Sequence, residues 1–221
     1  METFEEARAK ILTELTSDDA EVRAEYLHHF EADANEFVDA MTHAFMTWRS
    51  LDAEVQKNEK RAYISAMVFT AISLHILSLK LFLSGHSIAA GNLFRQVVET
   101  ISLAFLCSGK NLGILERFME DKYSTNDAVT HVLRHSEKLG LKDEGVRVLK
   151  EAQEFYHKYS HLTPLTISTF MSFSKRGGLY VGAAFDDGKI DGYRKEVSAR
   201  VGLAKVFPNF VEGVIANLAK W

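Results

Sequence analysis

Apolar side chains recur every three to four residues along most of this chain of 221 residues. The apolar positions of the first two stripes are Phe4, Ala7, Ile11 and Leu15, followed by Tyr26, Phe30, Phe37, Met41, Phe45 and Trp48. This period is that of an α-helix with one face against a core. Ser17-Asp18-Asp19, between the two stripes, is typical of a helix N-cap. We therefore predict a short N-terminal helix and then one long helix, or two in series.

The most apolar part of the sequence predicts the centre of the fold. Residues 62–83 are interrupted by six polar side chains, and residues 88–107 place five apolar side chains on one face. The residues between them include Gly85, which is well placed to end a helix. We predict an antiparallel helical hairpin at 62–83 and 88–107. The first segment is long enough to cross a bilayer, but its polar residues, His75 and Lys80 among them, favour a buried bundle helix.

The second half of the chain predicts shorter helices and one glycine-rich loop. The predicted helices are those of residues 112–123, 127–139, 142–159, 167–173 and 193–218. Pro164 is expected to bend or break the chain before the fourth of them. Residues 177–192 hold five of the thirteen glycines and contain Asp187-Gly188, a type I′ hairpin signal, so a loop or small hairpin is expected there. The predicted fold is all-α, a helical bundle around the central hairpin.

Composition and charge indicate one globular domain with two differently charged parts. Hydrophobic residues make up 47% and charged residues 25% of the chain, the usual globular balance. Residues 1–60 hold 15 acidic and 6 basic side chains, and residues 61–221 hold 15 acidic and 20 basic ones, so their net charges are −9 and +5. We predict a single domain over 1–221, with an acidic helical arm at 1–60 and a bundle body at 61–221. The arm packs on the body of its own or a partner chain, or both are solvated faces.

The N-terminus and the single cysteine predict a cytoplasmic protein. The acidic N-terminal sequence lacks the apolar segment of a secretion signal. Cys107 lies in an apolar run, where a reduced and buried thiol is expected. We expect no membrane partner, and nucleic acid is a disfavoured partner because the basic residues form no dense cluster.

A polar cluster is predicted inside the central hairpin. Arg95 and Glu99 stand four residues apart in its second, apolar segment. Because burying an unpaired charge is costly, they form either a mutual ion pair or part of a buried polar site, with His75 on the facing segment. One alternative is a structural cluster that fixes helix register, and the other is a functional site.

Two pairs of histidines have a spacing found in metal sites. His131 and His135, and likewise His157 and His161, stand four residues apart, which places both imidazoles of a pair on one helix face. Neither pair has the glutamate of a His-Glu-x-x-His motif, so we expect no cofactor, with a bound metal as the alternative. The chain also has no Gly-x-Ser-x-Gly nucleophile elbow.

The Arg-x-x-x-Glu of the apolar segment, followed about sixty residues later by a Tyr/Ser/His cluster, resembles uncharacterised all-helical bacterial proteins. These are related in style to the HEPN superfamily and to abortive-infection-type proteins, and the resemblance covers residues 62–175. It implies that five side chains converge in one interior cluster, namely Arg95, Glu99, Tyr156, Ser160 and His161.

Many HEPN proteins are ribonucleases whose motif is an arginine, four to six residues and then a histidine on one helix. This chain fits that spacing at Arg23, which is followed by His28 and His29, but the match lies in the acidic residues 1–60, an unfavourable setting for RNA. Arg95 has no histidine at the required offsets. This departure from the HEPN ribonuclease motif disfavours nuclease activity.

These patterns predict a helical protein, bacterial by its resemblance, that acts by binding or by homo-oligomeric assembly. An interface is favoured by the 15 Phe, 7 Tyr and 2 Trp residues, more aromatics than one small core needs. Two alternatives stay open. One is an HEPN-like RNA-cleaving enzyme or toxin-type effector, and the other is a metal-dependent helical-bundle enzyme that uses the paired histidines.

Overall fold

The computed structural model describes residues 2–55 and 58–221, and this described part is 78% helical. The described part contains ten α-helices and no β-strand, which confirms the predicted all-α bundle. The helices are α1 (Phe4–Thr16), α2 (Ala20–Ala53), α3 (Glu59–Leu83), α4 (Ser87–Ser108), α5 (Ile114–Met119), α6 (Ala128–Arg134), α7 (Ser136–Leu139), α8 (Asp143–Tyr156), α9 (Pro164–Phe170) and α10 (Ile190–Leu218).

The central hairpin lies where the apolar pattern predicts it. α3 and α4 share the most extensive contact in the molecule, and α2 and α10 pack against them. The turn between α3 and α4 depends on Gly85, whose φ of +84° is favourable only for glycine. α3 is the one described helix long and apolar enough to span a membrane, and half of its most apolar window is buried inside the bundle. Such burial is expected of a central core helix.

The N-terminal sixty residues do not all stand apart from the body. α2 is one helix with a kink at Phe30 (φ −129°, ψ 20°), and it buries Tyr26, Phe37 and Met41 in the core. α1 buries no residue. Among the described helices of this part, α1 therefore stands off the bundle, whereas α2 belongs to it.

Pro164 begins a helix instead of interrupting one. It is the first residue of α9, a position where the missing amide hydrogen and the fixed φ of proline cost nothing. The preceding Thr163 caps the helix by accepting a hydrogen bond from the Thr166 amide (3.3 Å). The helix predicted over 142–159 ends earlier, because α8 changes into a 3₁₀ turn at His157–Ser160.

The hairpin signal at Asp187-Gly188 is wrong, and the alternative of a loop is confirmed. The Asp186 carboxylate accepts hydrogen bonds from the backbone amides of Phe173 (2.6 Å), Ser174 (3.1 Å) and Gly188 (2.9 Å). Asp187–Lys189 form a 3₁₀ turn that Asp186 caps and that leads directly into α10, so no strand follows Gly188. Burial acts to raise the pKa of Asp186, but these hydrogen bonds outweigh it and hold the pKa well below its usual range. α10 consequently begins at Ile190, three residues before the predicted start.

Candidate functional site

A fully buried arginine of α10 is the centre of the most polar part of the interior. Arg200 donates from Nε to Ser78 Oγ on α3 (3.0 Å). Its Nη1 donates to Glu196 Oε2 (2.7 Å), one turn earlier on α10. The side chain of Arg200 is 0% exposed and that of Glu196 is 12% exposed. This ion pair, with the groups bonded to it, is called the Arg200 network below.

Three aromatic rings surround the guanidinium group. Its central carbon lies 4.9 Å from the ring centre of Phe82, 5.1 Å from that of Phe94 and 5.7 Å from that of Tyr156. The faces of aromatic rings attract a cation, and the attraction is strongest where water is excluded. The rings therefore replace part of the hydration that Arg200 loses on burial.

Two tyrosines complete the environment of Glu196. Tyr156 donates its hydroxyl hydrogen to Oε2 (2.9 Å), and Tyr159 donates to Oε1 (2.8 Å). Burial raises the pKa of both phenols, so that they stay protonated and act as donors. The carboxylate thus joins the end of α8 and the following 3₁₀ turn to α10.

His75 is the innermost member of the Arg200 network. Its Nε2 lies 3.0 Å from the carbonyl oxygen of Arg200. A carbonyl only accepts, so the hydrogen of the neutral ring is on Nε2. Burial, helped by the nearby charge of Arg200, lowers the pKa of His75 to about 3. The imidazole is therefore uncharged at neutral pH and packs between the rings of Phe37 (4.8 Å) and Phe207 (5.7 Å).

Two nitrogens of this network have no hydrogen-bond partner. They are His75 Nδ1 and Arg200 Nη2, and no other buried side-chain nitrogen or oxygen shares this property in the residues that the structure describes. Unsatisfied buried groups are costly and uncommon in native proteins. They set the Arg200 network apart from the rest of the core.

A second polar network surrounds Arg95 nearer the surface. Arg95 donates from Nε to Glu99 Oε1 (2.8 Å), from Nη1 to Ser160 Oγ (3.0 Å) and from Nη2 to Asn126 Oδ1 (3.0 Å). Gln153 of α8 also donates to Glu99 Oε1 (3.1 Å). Every guanidinium nitrogen has a partner, and these three partners lie on α4 and on the 3₁₀ turns Thr125–Asp127 and His157–Ser160. The arrangement is that of a structural network that holds α8 and two 3₁₀ turns against α4.

The structure divides the predicted cluster between the two networks. Arg95, Glu99 and Ser160 lie together, but near the surface, since Ser160 is exposed, and not in one interior cluster of five side chains. Tyr156 and His75 lie in the Arg200 network. The division arises where α8 changes into the 3₁₀ turn, because Tyr156 bonds to a group on α10 whereas Ser160 bonds to groups on α4.

The paired histidines lie outside both networks. His161 is exposed, and its Nε2 lies 3.1 Å from Nε2 of His157. His131 Nδ1 is 2.8 Å from the hydroxyl of Tyr123. His135 sits at the break between α6 and α7 with a φ of −114°, so it does not share one continuous helix with His131. Over residues 2–55 and 58–221, no three His, Cys, Asp or Glu side chains are grouped to hold a metal ion.

The HEPN-type spacing in α2 has other contacts. Arg23 donates to Ser84 Oγ (3.1 Å) and to the carbonyl of Asp18 (2.9 Å). The ring of His29 stacks on Phe185 at 5.1 Å. These contacts join α2 to the turn before α4 and to the glycine-rich loop.

Sequence reasoning missed the centre of the Arg200 network. Glu196 and Arg200 have the same four-residue spacing as Arg95 and Glu99. Arg200 also falls on the apolar stripe of α10, beside Val197 and Val201. A charged residue in the apolar stripe of a long helix was the available signal. Ser78 and Tyr159 gave no comparable signal, since neither residue type is unusual on its own.

Two cavities lie on either side of Glu196. One, of about 330 Å³, is bounded by α9, the glycine-rich loop and the start of α10. The other, of about 790 Å³, lies between α8 and α10. Both are lined by Phe155, Lys195 and Glu196. The edge of the Arg200 network is therefore also the wall between two cavities of ligand size.

Gly91 sets the distance between α4 and Tyr159. A Cβ atom at Gly91 would lie 2.5 Å from Cγ of the Tyr159 ring, closer than two carbon atoms can approach. We expect Gly91→Ala to displace the ring and to lower the free energy of unfolding by about 1–3 kcal/mol, measured by urea denaturation. Gly202→Ala is the control, since a Cβ there meets no atom within 4 Å, and it should stabilise α10 by up to about 1 kcal/mol. Equal stability of Gly91→Ala and the wild type would contradict the packing described.

No family model matches the sequence, and no curated protein or solved structure is significantly similar to it. The comparisons therefore bear neither for nor against the resemblance to HEPN-type proteins.

Proposed function

We propose that this protein acts by homo-oligomeric assembly, as a non-catalytic helical protein that pairs through the exposed side of α3. This α3 face runs from Glu59 to Lys80, and its other exposed residues are Ala62, Tyr63, Ala66, Phe69, Thr70, Ser73, Ile76 and Leu77. Lys60 is also exposed, but it pairs with Glu116 of α5 and lies about 100° around the helix from Glu59, away from this face. The face itself carries no other charge between its two ends, which are about 32 Å apart at 1.5 Å per residue. A largely apolar surface of this kind is typical of an interaction site.

A second copy of the chain is the partner that the α3 face fits. Two α3 helices placed antiparallel about a twofold axis between Phe69 and Thr70 would pair Glu59 with Lys80, Ala62 with Leu77, Tyr63 with Ile76, Ala66 with Ser73, and Phe69 with Thr70. Any helix can be paired with an antiparallel copy of itself, so the geometry alone does not favour this dimer. The chemistry of the paired side chains is what supports it. Opposite charges meet at both ends, and a small side chain lies opposite a larger one in the Ala62–Leu77 and Phe69–Thr70 pairs.

The two end charges are available for such pairing. Neither Glu59 nor Lys80 makes an ion pair with another residue of the described chain. A symmetric antiparallel dimer forms the Glu59–Lys80 ion pair twice, once at each end of the interface. A parallel dimer would instead place Glu59 beside Glu59 and Lys80 beside Lys80. One helix face is small for an interface, so we expect a dimer that dissociates on dilution.

A cytoplasmic location is part of the same proposal. It is supported by Cys107, a buried free thiol whose pKa is raised to about 12 by burial and by the charge of Glu116. A thiol of this kind is expected in a reducing compartment.

The charge pairing can be tested by exchange of the end charges. We expect Glu59→Lys alone, and Lys80→Glu alone, to raise the dimer dissociation constant roughly tenfold, because each turns two attractions into two repulsions. The double exchange should restore wild-type affinity. Glu212→Lys, an exposed change on α10, controls for net charge. Analytical ultracentrifugation over a range of concentrations provides the measurement.

Disulfide cross-linking tests the antiparallel register of the two helices. Residue 70 lies one position from its symmetry mate, about 1.5 Å along the axis, and residue 66 lies seven positions away, about 10 Å. Thr70→Cys should therefore form an intermolecular disulfide under mild oxidation, and Ala66→Cys should not, because bridged Cα atoms lie within about 7 Å. A monomer at all concentrations, a dimer indifferent to the charge exchange, or equal cross-linking at both positions would refute the proposal.

A further inference from the structure

The larger of the two cavities is an open groove between α8 and α10, here called the α8–α10 groove. Its floor is formed by Phe94 and Val98 of α4, and its volume is about 790 Å³. α8 packs against α4 and α6, yet Val148 on its outer side is 60% exposed, and Val206 on the α10 side is 52% exposed. Apolar side chains thus line a space that no part of the described chain fills.

Small residues make the groove deep. Gly145 and Ala152 on α8 face Ala199 and Gly202 on α10. A Cβ atom added at Gly145 or Gly202 would meet no atom within 4 Å. The space therefore reaches the backbone of both helices. From residue 196 to residue 206 of α10 the groove is about 15 Å long, which suits an extended alkyl chain.

One end of the groove is polar and carries positive charge. The carboxylate of Glu196 is neutralised there by Arg200 and by two tyrosine hydroxyls. Lys195 lines the same end and makes no ion pair with any residue described. The ammonium group of Lys158 lies 5.4 Å from the ring centre of Phe155, which also lines this end.

A negative charge on the rim of the groove lies away from the end that Lys195 lines. Glu151 lines the groove one turn before Phe155 on α8. An anionic group beside Glu151 would be repelled, whereas the same group beside Lys195 would be attracted. The charges of the rim therefore orient a ligand with its anionic end at Lys195.

We propose that the α8–α10 groove binds a single-chain amphiphile with an anionic head. The alkyl chain lies between α8 and α10 on Phe94 and Val98, and the head group pairs with Lys195. The volume is in the range of small-molecule sites, which are mostly apolar and contain a few polar groups that fix orientation. This site is independent of the α3 face and of the assembly proposed for it.

Calorimetric titration of the full chain with three ligands of equal chain length tests the chemistry of the head. The ligands are dodecanoate and dodecyltrimethylammonium, each below its critical micelle concentration, and dodecanol, below its solubility limit. We expect dodecanoate to bind most tightly and the cation most weakly. Lys195→Gln should weaken dodecanoate roughly tenfold and leave dodecanol unchanged. Absence of binding by all three, or tighter binding of the cation, would overturn the proposal.

Filling the groove tests the place of binding. Gly202→Phe should reduce the affinity for dodecanoate and dodecanol at least tenfold, because its side chain occupies the path of the alkyl chain. Ser198→Phe, on the exposed side of the same helix and outside the groove, should change neither. Gly145→Leu fills the groove from α8 and serves if Gly202→Phe fails to fold, as judged by circular dichroism. Undiminished binding in a folded groove-filling variant would place the ligand elsewhere and end the proposal.

Discussion

Replacing Glu196 with glutamine is expected to lower the free energy of unfolding by about 3–5 kcal/mol, the usual effect of removing one partner of a buried ion pair. Arg200 cannot leave the core, since its side chain is 0% exposed and Ser78 and three aromatic rings hold it there. Without the carboxylate, its charge is buried with no counter-ion. Tyr159 would also lose a charged acceptor. Denaturation in urea, followed by circular dichroism, gives the measurement.

Two further variants show whether the charge or the packing is responsible. Glu212→Gln, an exposed change on the same helix, should leave stability within about 0.5 kcal/mol of the wild type. The double variant Glu196→Leu, Arg200→Met removes both charges and should regain much of the loss, because apolar residues often replace a buried ion pair without cost. A Glu196→Gln protein as stable as the wild type would mean that the ion pair is not a fixed part of the core.

Acidification from pH 7.5 to pH 5 is expected to cost about 2 kcal/mol of stability through His75 alone. The folded pKa of His75 is about 3, below the ordinary value of 6.5. The unfolded chain therefore takes up a proton in this range, and the folded chain does not. The stability that the neutral ring contributes is fully present above pH 6.5 and is lost as the pH falls towards 3.

Comparison with His75→Gln isolates this contribution. A glutamine amide can still donate to the carbonyl of Arg200, but it does not titrate. The pKa of His135 is also lowered, by burial and by the charges of Lys138, His131 and Arg134, so it adds a loss of the same sign in both proteins. On acidification from pH 7.5 to pH 5, we expect the free energy of unfolding of His75→Gln to decrease by about 2 kcal/mol less than that of the wild type. Parallel pH profiles would show that His75 is protonated without unfolding.

The helical framework could be predicted because its signal is carried by many residues at once. Residues 62–83 and 88–107 are apolar over five or six turns, and α3 and α4 extend these ranges by only a few residues. The hairpin signal at Asp187-Gly188 failed for the opposite reason. It rests on two residues, and these residues instead form a 3₁₀ turn that the adjacent Asp186 caps and that leads into α10.

The candidate sites were only partly predictable, because hydrogen-bond partners depend on how distant segments meet. Arg95 and Glu99 pair within one helix, so their spacing was sufficient. The position of Tyr156 required knowledge of where α8 ends and which helix lies opposite. Neither can be inferred from a pattern within α8 itself.

The isolation of α1 has a consequence for how the molecule unfolds. Its apolar side chains Phe4, Ile11 and Leu15 are 78%, 63% and 79% exposed, and its link to the glycine-rich loop is a hydrogen bond from the Ala183 amide to Glu14 (3.0 Å). Burial thus repays little of the conformational entropy lost when this segment is ordered. α1 can open and close by local unfolding while the bundle stays intact, so its amide hydrogens report on the capping at Thr3 and not on global stability.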